Sequence, residues 1–180
     1  SELCILEATK EVAKFGKITA KMNGFVRSYI NSSDKKIKTK MLKKIAKYEE
    51  ITDRVEVEVG DYLGKTSQLE MSVEASRQMR GMLNISTDLE RIGDIFYQMS
   101  KALEKKDREK QYFTPEQRKG INKMLDATEK AFDVMNDNLR SEYGKISLEK
   151  ARSCEKDINK LREEAPANSV SSGGVDMAPN

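Results

Sequence analysis

Histidine is absent from this 180-residue chain. That removes the usual general base at neutral pH and the commonest zinc ligand. Tryptophan is absent too, aromatic residues make up only 6%, and there are three prolines. With so few sheet-favouring residues and an abundance of Lys, Glu, Leu, Ile and Met, the composition favours long amphipathic helices over sheets. The two cysteines, Cys4 and Cys154, are far apart and match no metal or redox spacing. They read as buried free thiols in a reducing compartment. No apolar run approaches the ~20 residues needed to cross a bilayer. The N-terminus carries no secretory apolar region. The expectation is a soluble, cytoplasmic molecule. The net charge of +3, against 33 basic and 30 acidic residues, gives no reason to expect a nucleic-acid partner. The length suits one domain with a single core.

What is present is a succession of helical patterns. The first runs from Glu2 to about Tyr29, with Phe15, Ile18, Met22, Phe25 and Tyr29 on one stripe. The chain enters it without preamble, as a domain cut from a longer protein would. Asn31-Ser32-Ser33-Asp34 supplies turn and cap residues. The second helix is expected from Lys35 to Leu63, with Met41, Ile45, Tyr48, Thr52, Val55, Val59 and Tyr62 as its seam. Its first half holds seven lysines between Lys35 and Lys47 and no acid; its second half, Glu49 to Asp61, is acidic. This order opposes the helix dipole. Either the charges are placed for a neighbour or ligand, or they form a solvated face. The third helix is expected from Leu69 to Leu103, on a heptad seam of Met71, Ala75, Met82, Ile85, Leu89, Ile92, Phe96, Met99 and Leu103. That period predicts nearly antiparallel bundle packing, with helices two and three as a hairpin turning near Thr66.

Thr114-Pro115-Glu116-Gln117 is a helix start with capping-box residues. It opens a fourth helix to about Tyr143, lined by Ile121, Leu125, Thr128, Phe132, Met135 and Leu139. A fifth, Ser147 to Glu164, carries Leu148, Ala151, Cys154, Ile158 and Leu161. Residues 165–180 are rich in Ser, Gly, Ala and Pro without period and are expected to form a disordered tail. The expected fold is therefore all-α: an antiparallel bundle of about five long helices over residues 1–164. A weak internal repeat relates Glu49–Glu56 to Glu155–Arg162. Helices one to three would form one unit, and helices four and five an incomplete second unit lacking its third helix.

One heptapeptide stands out, Asp88-Leu89-Glu90-Arg91-Ile92-Gly93-Asp94. Glu90 and Asp94 stack one turn apart on a helix face. Gly93 costs the helix about 1 kcal/mol relative to alanine, which suits the close approach of another backbone or a ligand. Leu89-Glu90-Arg91-Ile92-Gly93-Asp94 resembles the signature of the PhoU family. Its members are built from two three-helix repeats with Glu/Asp-x-x-x-Asp motifs. Here the pattern is met at Glu49/Asp53 and Glu90/Asp94, and in degraded form at Glu155/Asn159. The resemblance spans roughly residues 10 to 164. It is nearest to the cytoplasmic domain at the C-terminal end of bacterial sodium-dependent phosphate cotransporters. It implies regulation of phosphate uptake rather than catalysis, and a transporter membrane domain as partner, upstream in the same polypeptide or separate. A homodimer is the other expected association. Some members hold iron or zinc clusters on their acidic motifs.

The candidate metal ligands are Glu49, Asp53, Glu90 and Asp94. Clustered carboxylates repel one another, and a cation relieves the repulsion. All-oxygen ligation suits Mg, Ca, Mn or Fe better than a soft metal; with the resemblance added, Fe, Mn or Zn stands ahead of Mg or Ca. A turn near Thr66 would place Glu49 opposite Asn84 and Asp53 opposite Arg80. Glu90 would then lie roughly 9 Å further along at the helical rise, arguing against one shared ion. The competing reading is structural ion pairing, with Arg80 serving Glu49 and Asp53 and Arg91 serving Asp88 and Asp94. A ferritin-like di-iron centre needs Glu-x-x-His motifs, which a chain without histidine cannot supply. A plain helical interaction module, docking through an unpaired apolar face, remains a third reading.

Overall fold

The computed structural model describes residues 2–66, 70–141 and 145–164, with side chains from Cys4 onward. The expected starts and stops at Ser67, Leu69, Tyr143 and Gly144, and the expected tail at 165–180, lie outside these residues. Five helices account for the fold: α1 (Glu2–Asn31), α2 (Lys35–Thr66), α3 (Val73–Arg108), α4 (Pro115–Arg140) and α5 (Leu148–Glu164). No strand occurs among the described residues. The all-α bundle is as expected, and the alternating Val55, Val57 and Val59 are helical.

α1 is the central element. It packs against α2, α3 and α4; α2 also packs against α3, and α5 packs on α4. Its burial is correspondingly broad. Phe15, Thr19, Met22, Asn23, Val26, Tyr29 and Ile30 are all buried, more than one amphipathic stripe would bury. One core joins Phe15, Met22 and Val26 of α1 to Ile45 of α2, Leu89 and Phe96 of α3, and Leu125 and Phe132 of α4. A second, towards the start of α1, joins Ile5, Ala8 and Val12 to Val59, Leu63, Ala75, Met79 and Met82.

Local chemistry sets the helix ends. Asp34 Oδ1 accepts the Lys36 N–H at 2.7 Å and caps α2. Ser72 accepts the Ala75 N–H at 3.1 Å and caps α3. Thr114 and Gln117 form the expected reciprocal capping box at α4. α3 runs to Arg108, past the expected end at Leu103. It closes with Lys110 N–H donating to Asp107 O and Gln111 N–H to Lys106 O, the paired bonds of a Schellman end.

The register of α2 against α3 differs from expectation. Gly93 is buried, and a Cβ built there would sit 2.8 Å from Thr52 Oγ1. A turn centred on Thr66 would instead set Thr52 beside Gly81. The reversal takes more chain than a tight turn: α2 continues to Thr66, and α3 begins only after Ser72. Half of the expected α3 seam is buried as expected, at Ala75, Met82, Leu89, Phe96 and Leu103, and its other line is displaced by one residue. Ser86, Gly93 and Ser100 are buried at heptad spacing, whereas Ile85, Ile92 and Met99 are half-buried flanks. Small side chains there let the helix axes approach. On α2, Leu63 rather than Tyr62 enters the core. Cys154 is buried, but Cys4 is only half-buried.

Candidate functional site

The α2–α3 crossing brings the candidate ligands together. Glu49, Asp53 and Glu56 lie on one face of α2 by their four- and three-residue spacing. Glu90 and Asp94 lie on the facing side of α3. With Gly93 lodged against Thr52, the two acidic faces are at the same level. Carboxylate oxygens of Glu49, Asp53 and Asp94 all fall within 4.8 Å of one another. Glu90, one turn back from Asp94, is close enough to feel its charge and also feels Glu56 and Asp53. The register behind the expected separation of the two motifs is therefore wrong: Asp94, not Glu90, is the residue of the second motif that joins Glu49 and Asp53.

The electrostatics record this crowding. Loss of surrounding water, then repulsion from Asp53, Asp94 and Glu50, pushes the Glu49 carboxyl above its ordinary value. Asp53 is raised by desolvation, then by Asp94 and Glu56. Glu90 is raised by desolvation, then by Asp94 and Glu56. Among the described residues no lysine or arginine forms an ion pair with Glu49, Asp53, Glu90 or Asp94. Arg91 instead reaches Asp88, at 3.7 Å. The ion pairs expected from Arg80 and from Arg91 to Asp94 do not form. Thr52 completes the crossing: its hydroxyl donates to the Glu49 carbonyl at 2.8 Å, and its side chain is fully buried.

Such a donor set can bind a cation. It offers three converging carboxylates, no imidazole and no thiolate. This suits a hard cation with oxygen ligation, and the residues fit one: the mutual repulsion that adds to desolvation in raising the carboxyls is what a bound cation would relieve.

Glu56 and Thr52 were not among the expected site residues. Glu56 could have been found from its position on the face of Glu49 and Asp53. Thr52 read only as part of the apolar seam. The degraded motif lies elsewhere. Glu155 and Asn159 line a groove between α4 and α5, with Ile85 of α3, Met135, Asn138, Leu139, Cys154 and Ile158. This second position holds one acid and two amides.

Comparison with known families gives a match to the PhoU domain over residues 12–112. The matched span runs from early α1 past the end of α3 and contains Glu49, Asp53, Glu90 and Asp94. No curated protein and no solved structure matches the chain.

Proposed function

This chain belongs to the PhoU family, and we propose that it is a non-catalytic regulatory domain that modulates phosphate transport through protein contacts. The family supports a regulatory role in phosphate homeostasis. The link to sodium-dependent phosphate transport, with a transporter membrane domain as the partner, is our finer reading. In this reading Glu49, Asp53 and Asp94 bind a cation, Glu90 supports Asp94, and the bound cation fixes the α2–α3 crossing. Iron, manganese or zinc is the proposed ion, ahead of magnesium or calcium.

The observation that carries the cation part is the convergence of three carboxylates within 4.8 Å, with no basic side chain among the described residues paired to them. The contact part is supported by apolar surface at the start of α5 and in the connection before it. There Ile146 and Leu148 are 40% and 62% exposed, beside the apolar groove containing Cys154 and Ile158. No described helix is long and apolar enough to cross a membrane, so contact with a transporter would be made from outside the bilayer. The cytoplasmic side is the proposed location.

Two measurements test this. Elemental analysis of protein purified without chelator should find a transition metal, and the Glu49→Gln and Asp94→Asn variants should lose it. Phosphate uptake by a co-expressed sodium-dependent transporter should change when the domain is present. Full metal content in both variants would remove the assigned site. Uptake indifferent to the domain would remove the transport reading. Turnover of a phosphate ester, lost on mutating Glu90, would replace both with an enzyme.

A further inference from the structure

The first half of α2 carries a second feature that the acidic crossing does not use. Lys35, Lys36, Lys40, Lys43, Lys44 and Lys47, with Thr39 among them, line one shallow open surface. From Lys35 to Lys47 the strip is roughly 18 Å long at the helical rise. Among the described residues none of these six forms an ion pair. Lys38, the seventh lysine of the segment, turns inward to Asp107 at 2.7 Å. Lys44 also rests over the Phe25 ring, 5.0 Å from its centre. The nearest acid in sequence, Asp34, is engaged as the α2 cap through Lys36 N–H.

This arrangement works against the helix. Positive charge in the first turns opposes the dipole, and lysines four apart, such as Lys36/Lys40 and Lys43/Lys47, repel one another. An external anion would relieve both penalties. The shape and chemistry of the strip narrow the choice of anion. It contains no arginine for bidentate phosphate or base recognition and no exposed aromatic ring for base stacking. A second copy would have to present its acidic half of α2. A two-fold axis between Tyr48 and Glu49 sets Lys36 against Asp61 and Lys47 against Glu50, but also Lys43 against Arg54 and Lys40 against Val57. Self-pairing is therefore tied to one register, because only an axis at Tyr48 itself removes these mismatches. A planar array of diffuse negative charge needs no such register. Lysine heads act as mobile point charges, and clusters of this size are what anionic lipid surfaces attract. Ile37, 42% exposed on the same segment of α2, adds an apolar side chain for the headgroup boundary.

We propose that the basic first half of α2 docks on an anionic membrane surface, with lipid headgroup phosphates as its ligand. This requires neither a cation at the acidic crossing nor any role in phosphate transport.

The test is flotation of the whole chain with vesicles of phosphatidylcholine alone, and of phosphatidylcholine and phosphatidylglycerol in equal parts. Binding to the mixed vesicles only, weakened by added salt, is the expected result. The fourfold reversal of Lys36, Lys40, Lys43 and Lys47 to Glu should weaken it on the order of a hundredfold or more. The matching fourfold change to Arg should retain it, which keeps the test valid if the reversed protein does not fold. Equal binding to both vesicle types, no binding by the folded wild type, or unchanged binding by a folded reversal variant would each overturn the proposal. So would self-association in sedimentation velocity that the reversal abolishes. Displacement from the mixed vesicles by inorganic phosphate at constant ionic strength would overturn it in favour of a discrete phosphate site.

Discussion

At the scale of single residues, Gly93 decides the geometry of the acidic crossing. Alanine there would recover about 1 kcal/mol of helix propensity. Its Cβ, however, would meet the Thr52 side chain at 2.8 Å, in a fully buried position. Relieving such an overlap typically costs about 1–3 kcal/mol, so Gly93→Ala should lower stability overall. Gly81→Ala is the control: its Cβ meets nothing within 4 Å, and it should gain about 0.5–1 kcal/mol. Urea denaturation followed by circular dichroism measures both. Thr52→Ala should recover part of the Gly93→Ala loss; equal stabilisation by the two glycine substitutions would refute the close crossing.

A second residue holds the opposite end of the three-helix unit. Asp107 Oδ2 accepts from Tyr29 Oη at 2.6 Å and from Lys38 Nζ at 2.7 Å, tying α3 to α1 and α2. Partial burial pushes the Asp107 carboxyl up, but the hydrogen bonds from Lys38 and Tyr29 outweigh it and hold it below its ordinary value. Burial, then the bond to Asp107, pushes the Tyr29 hydroxyl up. A lowered carboxyl contributes stability that is present above its unfolded value and lost as pH falls through its folded one. Asp107→Asn should cost about 1–3 kcal/mol at neutral pH, as loss of hydrogen bonds to a charged group does. The deficit should shrink in strong acid. A deficit constant down to the lowest measurable pH would separate it from the charge.

At the scale of elements, the end of α3 is strained where the rest of the helix is regular. Lys110 adopts a left-handed backbone at φ 57°, in the position of a Schellman end that glycine favours. An L-residue in that region costs about 1–2 kcal/mol. Lys110→Gly should therefore raise the denaturation midpoint, by an amount equivalent to about 1 kcal/mol. No rise, or a loss, would show that the lysine side chain offsets the strain.

The elements also show what a sequence discloses. Helix type, the α4 start at Thr114 and the face shared by Glu49 and Asp53 follow from local chemistry and spacing, and they are legible. Register is different, because it depends on how much chain the reversal consumes. Gln68-Leu69-Glu70-Met71 carries neither glycine nor proline to mark a break. One line of the buried face of α3 was hidden for a related reason, whereas Leu89, Phe96 and Leu103 were legible. Ser86 and Ser100 look like solvent positions, yet their small size places them at the contact. Apolar periodicity favours Ile85, Ile92 and Met99, which flank it. The site ligands could be named from sequence, but that Glu49, Asp53 and Asp94 meet could not.

At the scale of the whole molecule, charge is divided along the α2 axis, and the two ends of the three-helix unit should answer pH in opposite ways. At the Asp107 end, protonation removes a bond. At the acidic crossing, Glu49, Asp53 and Glu90 are raised above their ordinary values. The folded state then binds more protons than the unfolded state, so stability at this site grows as pH falls through the folded values and declines again as pH rises. In chelator, the denaturation midpoint should rise as pH is lowered towards the range just above an ordinary carboxylate value of about 4. It should fall at still lower pH, when Asp107 is protonated. A cation bound at the crossing relieves the same repulsion as the protons. It should therefore lift the neutral-pH midpoint and flatten the rise, with a gain of about 2.7 kcal/mol at a hundredfold excess over its dissociation constant. Glu49→Gln should raise the midpoint in chelator at neutral pH and weaken the cation's effect. Denaturation across pH, with and without manganese, measures all of these. A rise on acidification that persists at full strength in saturating manganese would place the titrating groups away from the cation, and would break the link between the cluster and metal binding.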